Sequence, residues 1–178
     1  MWHILSALTR LIAPLISFTA EEIWQEMPHL STDKKESVFL CDMPSFNEEW
    51  NFAELEAKWN KLFDLRDDVM KALELARAEK LVGKSLDAKV TLYLEGETMD
   101  FVKSFGDMLP TVFIVSGVVI SGDKAPENAY TETESGIGVL VESADGEKCD
   151  RCWMYTTEPI SDGEGILCPR CKRIIDSL

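Results

Sequence analysis

Positive charge is scarce in this sequence: 18 Lys and Arg face 32 Asp and Glu, a formal net charge of −14 over 178 residues. Phosphate affinity rests on Lys and Arg, so bulk charge excludes a protein that simply coats nucleic acid, while a local basic patch is still allowed. Long apolar runs are missing too. A membrane helix needs roughly 20 apolar residues, and the longest stretch, Phe113 to Ile120, is broken at Ser116 and Gly117. The opening MWHILSALTRLIAPLI resembles a secretory signal only superficially, because Arg10 interrupts it and no basic region precedes it. These features lead to the expectation of a soluble, cytoplasmic protein with no membrane partner. There are two histidines, His3 and His29, far apart and without paired ligand spacing. Gly-rich phosphate loops, H-E-x-x-H and G-x-S-x-G are absent. The acid pairs Glu21–Glu22, Glu48–Glu49 and Asp67–Asp68 read as solvated helix faces. Nothing here builds an active site.

What is present begins with cysteine. Cys149 and Cys152 form one C-x2-C pair, Cys168 and Cys171 a second, with 15 residues between the pairs. That spacing fits a tetrahedral zinc site, in which each tight turn aims two sulfurs at one ion. Gly146 precedes the first pair and Pro169 lies inside the second. The segment 146–178 is too short for an ordinary core, and a structural zinc would supply about 10–16 kcal/mol. Four thiolates leave no open coordination position, so the metal is expected to be structural. Paired disulfides would need an oxidising compartment, and a redox C-x-x-C normally occurs once after a strand. Cys41 reads as a small hydrophobe.

Along the chain, Ile4, Leu5, Leu8, Leu11 and Ile12 fall at helical spacing before Pro14. Thr19 and Glu22 match a capping box, with Phe18 and Ile23 as its staple, for a helix to about Met27 burying Ile23 and Met27. Residues 29–50 are polar and irregular. A long helix from about Phe52 to Lys80 carries the stripe Leu55, Trp59, Leu62, Val69, Leu73 and Ala76, interrupted by Arg66, with Gly83 placed to end it. Together these predict a helical bundle over residues 1–83. The period then changes to two at Ala88, Val90, Leu92 and Leu94, a strand. A helix over Thr98–Leu109, a buried strand over Thr111–Ser121 and a short strand over Ile137–Glu142 complete a small α+β unit over 84–145. The fold class expected is α+β, with a partial bundle, this unit and a zinc-ribbon-like module over 146–178.

Three stretches carry a family resemblance. APLISFTAEEIWQ (Ala13 to Gln25) resembles the anticodon-binding bundle of class I aminoacyl-tRNA synthetases for large aliphatic amino acids. VMKALELARAEKLVGKSLDAKVTLYL (Val69 to Leu94) is similar to the isoleucine enzymes in particular. The ending GEKCDRCWMY with LCPRC (Gly146 to Cys171) resembles their C-terminal zinc unit. Occurring in family order across nearly the whole chain, they imply a C-terminal portion of a bacterial-type isoleucyl-tRNA synthetase, its bundle incomplete at Met1. The family's HIGH and KMSKS signatures and editing domain are missing from these residues. By this resemblance, ATP belongs to the missing catalytic domain, the partner is tRNA for isoleucine, DNA is not a partner and the parent enzyme is monomeric. This portion would be non-catalytic.

The contacts expected toward RNA are stacking on splayed bases and cations on phosphates. The zinc unit offers Arg151, Trp153, Arg170, Lys172 and Arg173. Its 5 basic residues nearly balance 6 acidic ones, whereas the remainder holds 13 against 26. A second cluster, Arg77, Lys80, Lys84 and Lys89, follows the long helix; Arg77 and Lys80 there equally suit a helix C-terminus. Trp153 fits either a cover over the metal cluster or a stacking platform. Two alternatives stand beside this reading. One is a zinc-stapled protein-interaction module. The other is the end of a formamidopyrimidine-type DNA glycosylase, whose N-terminal catalytic proline and helix–two-turn–helix find no match here.

Overall fold

The computed structural model describes residues 1–31, 35–131, 133–161, 163, 165–177. It divides into two compact units, residues 1–52 and 53–178.

The first unit pairs helix α1 (Trp2–Ile12) with α2 (Ser17–Glu26), followed by 3-10 turns at Val38–Leu40 and Glu48–Trp50. Its core is Ala13, Ala20, Trp24, Met27 and Val38. The amphipathic stripe of α1 forms as its spacing predicts, but Ile4, Leu8 and Leu11 face outward, while Ser6 and Thr9 are buried. Periodicity identifies an apolar face without saying what lies against it. The capping box does not form: α2 starts at Ser17, with Ile16 at its N-cap and no side-chain cap, and Phe18 is 93% exposed. The turn is closed instead by backbone bonds from Leu15 and Ile16 to Ile12 O. Glu21 accepts from Ser37 Oγ and Val38 N–H across the loop.

In the second unit, α3 (Ala53–Ala78) lies against a three-stranded sheet. The expected boundary at residue 83 therefore does not separate the compact units. Strand β1 (Ala88–Tyr93) is central, parallel to β2 (Gly117–Ser121) and antiparallel to β3 (Gly138–Ser143). Between β1 and β2 the chain forms α4 (Gly96–Lys103), a 3-10 turn at Gly106–Met108 and α5 (Leu109–Phe113). The core joins Leu62, Val69, Leu73 and Ala76 of α3 to Val90, Leu92 and Val139 of the sheet and to Phe113 and Val115. Burying such side chains removes apolar surface from water at roughly 25 cal/mol per Å². Arg66, the exception in the stripe, is half-buried and donates from Nε to Val112 O at 2.9 Å. Leu55 is exposed and Trp59 half-buried, so the buried part of the stripe begins two turns later, at Leu62.

The run from Thr111 to Ser121 is not one buried strand. Pro110 stands in the first turn of α5, Ile114 ends that helix in the left-handed region at φ 57°, and only Gly117–Ser121 is extended, at a half-buried sheet edge. The turn lets Phe113 and Val115 both enter the core. The helix expected over Thr98–Leu109 is likewise broken, with Gly106 at φ 48°.

The chain continues through β4 (Glu147–Lys148), β5 (Tyr155–Thr156), β6 (Ile160–Ser161), β7 (Ile166–Leu167) and α6 (Pro169–Ile175). The short strands pair antiparallel, β4 with β5 and β6 with β7. Helices plus small sheets make the molecule α+β, as expected. Among the described residues, no helix is long and apolar enough to cross a membrane.

Candidate metal centre and RNA-facing surface

The first Cys pair sits in the turn between β4 and β5, and the second follows β7. Trp153 N–H donates to Cys149 O and Cys149 N–H to Met154 O, closing the first knuckle. Asp150 ties it to the second: its N–H reaches Ile166 O at 2.8 Å, and its Oδ2 accepts from Ile166 N–H at 2.7 Å. Two glycines permit this approach. A Cβ on Gly146, at φ 88°, would overlap the Thr156 carbonyl, and one on Gly165 would overlap the Asp150 carboxylate. The second pair opens α6, with Pro169 in its first turn.

The four sulfurs of Cys149, Cys152, Cys168 and Cys171 lie within 4.8 Å of one another, and Cys152 and Cys168 are 3.8 Å apart. Thiolates about 2.3 Å from a tetrahedral ion stand about 3.8 Å from each other, so the donor set fits one. Cys149 and Cys171 are buried. Burial pushes the Cys149 thiol up, but N–H groups of Cys152, Cys168 and Arg151 outweigh it and bring the pKa down to about 6. For Cys152, burial together with the surrounding sulfurs pushes it up to about 12, against a lowering contact with the Met154 backbone. Cys149 is thus held below the ordinary thiol range and Cys152 above it, in a crowded site where a cation would release protons on binding. Among the described residues this is the one cluster of three or more His, Cys, Asp or Glu able to hold a metal ion. His3 instead contacts the rings of Trp2 and Trp50, and His29 hydrogen-bonds Trp24 O.

Trp153 does not cover the cluster as core. It is 59% exposed and sits at φ 66°, a region that costs most residues energy. Lys84 Nζ is 6.0 Å from the centroid of its ring, so the two candidate regions meet at this pair. Ser116 holds them together: its Oγ donates to Leu86 O at 2.5 Å and accepts Tyr155 N–H at 2.7 Å. The polar residue interrupting a β-branched run was the signal for this role, as was Asp150 between the first two cysteines; the sequence reading assigned a function to neither.

The remaining candidates divide. Arg151, Arg170 and Arg173 are exposed and have no carboxylate within 4.0 Å among the described residues. Lys172 is half-buried and pairs with Asp176 at 2.7 Å. Arg77 pairs with Glu74 at 2.6 Å and donates to Ser85 Oγ. Lys89, the last of the second cluster, pairs with Asp145. Lys80, at φ 62°, ends α3: Leu81 N–H reaches Ala76 O, and Lys80 N–H reaches Arg77 O. This is a Schellman closure with lysine where glycine is usual. Gly83, the expected terminator, lies beyond it and outside the left-handed region.

A family model described as the anticodon-binding domain of tRNA ligase matches residues 1–92. The chain belongs to that family. Its similar proteins include isoleucine–tRNA ligases of Thermoanaerobacter sp. (strain X514), 45% identical over 99% of this chain, and of Carboxydothermus hydrogenoformans, 44% identical over all of it. The isoleucine–tRNA ligase of Geobacter sulfurreducens is 42% identical over 98%. In each case the chain spans 19% of the relative's length. The matched domain runs through α3 into β1 and so crosses both compact units.

Proposed function

We propose that this chain is the part of an isoleucine–tRNA ligase that grips the anticodon side of tRNA for isoleucine. Family membership and similarity to isoleucine–tRNA ligases over 99% of this chain carry this reading; neither the glycosylase nor the interaction-module alternative has comparable support. In a class I enzyme, amino-acid activation with ATP belongs to the catalytic domain, and this stretch is non-catalytic: its four thiolates fill a metal's coordination shell and leave no place for a substrate. The ion is zinc, held by Cys149, Cys152, Cys168 and Cys171, and its task is to fold the tail. The division into bundle, α+β unit and zinc module at residues 83 and 145 is retained as a functional one, each part meeting a different portion of the RNA. The parent works as a cytoplasmic monomer, and DNA is not its partner.

In the zinc unit, Trp153 offers an open indole face for an unpaired base, with Lys84 beside it and Arg151, Arg170 and Arg173 for phosphates. Lys172 supports α6 through Asp176, and Arg77, held by Glu74, contributes less than Lys80. Titrating zinc-loaded chain with transcribed isoleucine tRNA at several salt concentrations tests this. An Arg151→Ala/Trp153→Ala variant that retains zinc is expected to bind at least tenfold more weakly, with a shallower salt dependence. Unchanged binding would remove the zinc unit from the RNA surface.

A further inference from the structure

A second surface combines stacking rings with open cations, away from the zinc unit and from the cluster at the end of α3. Phe105 lies at its centre. Trp59 meets it edge-on at 5.6 Å and Phe101 at 5.3 Å, and Phe63 extends the row with its centroid 5.8 Å from that of Trp59. Phe105 is buried, Trp59 and Phe101 are half-buried, and Phe63 is exposed. Lys58 Nζ stands 4.5 Å from the Phe105 centroid and Lys61 Nζ 4.4 Å from that of Phe101.

The way these lysines are held distinguishes them. Three cations of α3 and β1 are taken up by acids: Lys71 by Asp68 and Glu134, Arg77 by Glu74, Lys89 by Asp145. Lys58 and Lys61 are both exposed, and among the described residues neither has a carboxylate within 4.0 Å. An aromatic ring holds an ammonium group in place while leaving its outward N–H bonds unspent and its charge uncancelled. Lys61 also lines a cleft with Asp64, Asp67 and Asp68, so what this surface offers is two open ammonium groups beside aromatic rings, not a uniformly positive face.

We propose that this α3–α4 surface is a second RNA contact, in which Phe63 and the edge of Trp59 pack on an unpaired nucleotide while Lys58 and Lys61 hold the flanking phosphates. The proposal rests on the tRNA reading above and extends it to residues that neither motif nor family resemblance marked. Aromatic faces accept any base and lysines any phosphate, so the surface would track backbone and unstacked bases rather than read sequence.

The experiment uses the zinc-loaded 178-residue chain and transcribed isoleucine tRNA. A Lys58→Gln/Lys61→Gln variant removes two charges on an exposed helix face. Its salt slope should fall by about 1.4, at about 0.7 per single-strand phosphate contact, and affinity at about 0.1 M salt should fall roughly five- to tenfold. A measurement on the unmodified chain stands beside it: Lys58 and Lys61 should lose reactivity toward an acetylating reagent when tRNA saturates the protein. If the zinc-unit variant weakens binding while the Lys58/Lys61 variant and lysine reactivity do not change, this proposal falls and the tRNA reading stands. If the lysines are shielded and the zinc-unit variant binds normally, the reverse holds for that unit. No binding by the unmodified chain overturns both. Lysines that stay reactive under saturating tRNA, but are shielded in the full-length ligase alone, would assign the surface to protein contact and refute the proposal.

Discussion

Replacing Lys80 with glycine should make the protein more stable and a poorer RNA binder at once. Lys80 closes α3 at φ 62°, with Leu81 N–H on Ala76 O and Lys80 N–H on Arg77 O. Holding a residue with a Cβ in the left-handed region costs about 1–2 kcal/mol. Glycine removes that cost but gives up about 0.5–1 kcal/mol because its unfolded chain is freer. The difference leaves Lys80→Gly about 0.5–1 kcal/mol more stable, or about 2–5 °C in melting temperature for a unit of this size. Lys80→Ala keeps the strain and should melt like the unmodified chain. Amide exchange at Val90 and Leu92, buried in the central strand, reads the 53–178 unit by itself. In the tRNA titration the same Lys80→Gly change should lower the salt slope by about 0.7. A Lys80→Gly protein that melts at or below the unmodified one would refute the strain argument, and an unchanged slope would remove Lys80 from the RNA surface.

Three further outcomes follow from the same geometry. Stripping the metal with a strong chelator should abolish exchange protection in β4 to α6 while Val90 and Leu92 stay protected, because the sheet core is built without the tail; loss of protection in both would show one cooperative unit. Gly146→Ala should weaken zinc affinity at least tenfold in a competition titration with a chromogenic chelator, since a Cβ there collides with the Thr156 carbonyl; full affinity would refute the close approach. Asp68 is buried beneath residues 134 and 135. Burial pushes its pKa up, but the Ser135 hydroxyl, the N–H groups of Ser135 and Glu134, and Lys71 together hold it below the usual carboxylate range. Its stabilisation is therefore complete above the unfolded value, about 3.9, and is lost as pH falls through the lower folded value. Asp68→Asn should cost about 1–3 kcal/mol at pH 7 and much less near pH 3, as read from urea midpoints; a cost independent of pH would contradict this account.

Elements whose side chains alternate between core and solvent were legible in the sequence. The period of two at Ala88–Leu94 gave β1, the three–four spacing at Leu62–Ala76 gave the buried face of α3, and two C-x2-C pairs gave a cluster that the fold assembles. The fold departs from the sequence reading where tertiary packing decides. The stripe of α1 is apolar and faces outward, which no spacing can reveal. The long helix ends near Lys80 as its stripe predicts, but Lys80 itself and not Gly83 closes it, because the bonds to Ala76 and Arg77 outweigh the strain of a lysine there. The β-branched run at Thr111–Val115 is helical through Phe113 behind Pro110, and Ile114 then turns the chain in the left-handed region, a break that a run of strand-forming residues does not announce. The pairing of Lys58 and Lys61 with phenyl rings depends on α4 lying beside α3, a relation between elements that local pattern does not encode.

The hydroxyl of Ser116 has one proton to give. It spends that proton on the loop following Gly83 and takes another from the tail, so its rotor is locked from both sides. On the proposed reading, loading the knuckles with their ion also steadies Lys84, far earlier in the chain, and a protein short of zinc would lose its grip at a residue that never touches the metal.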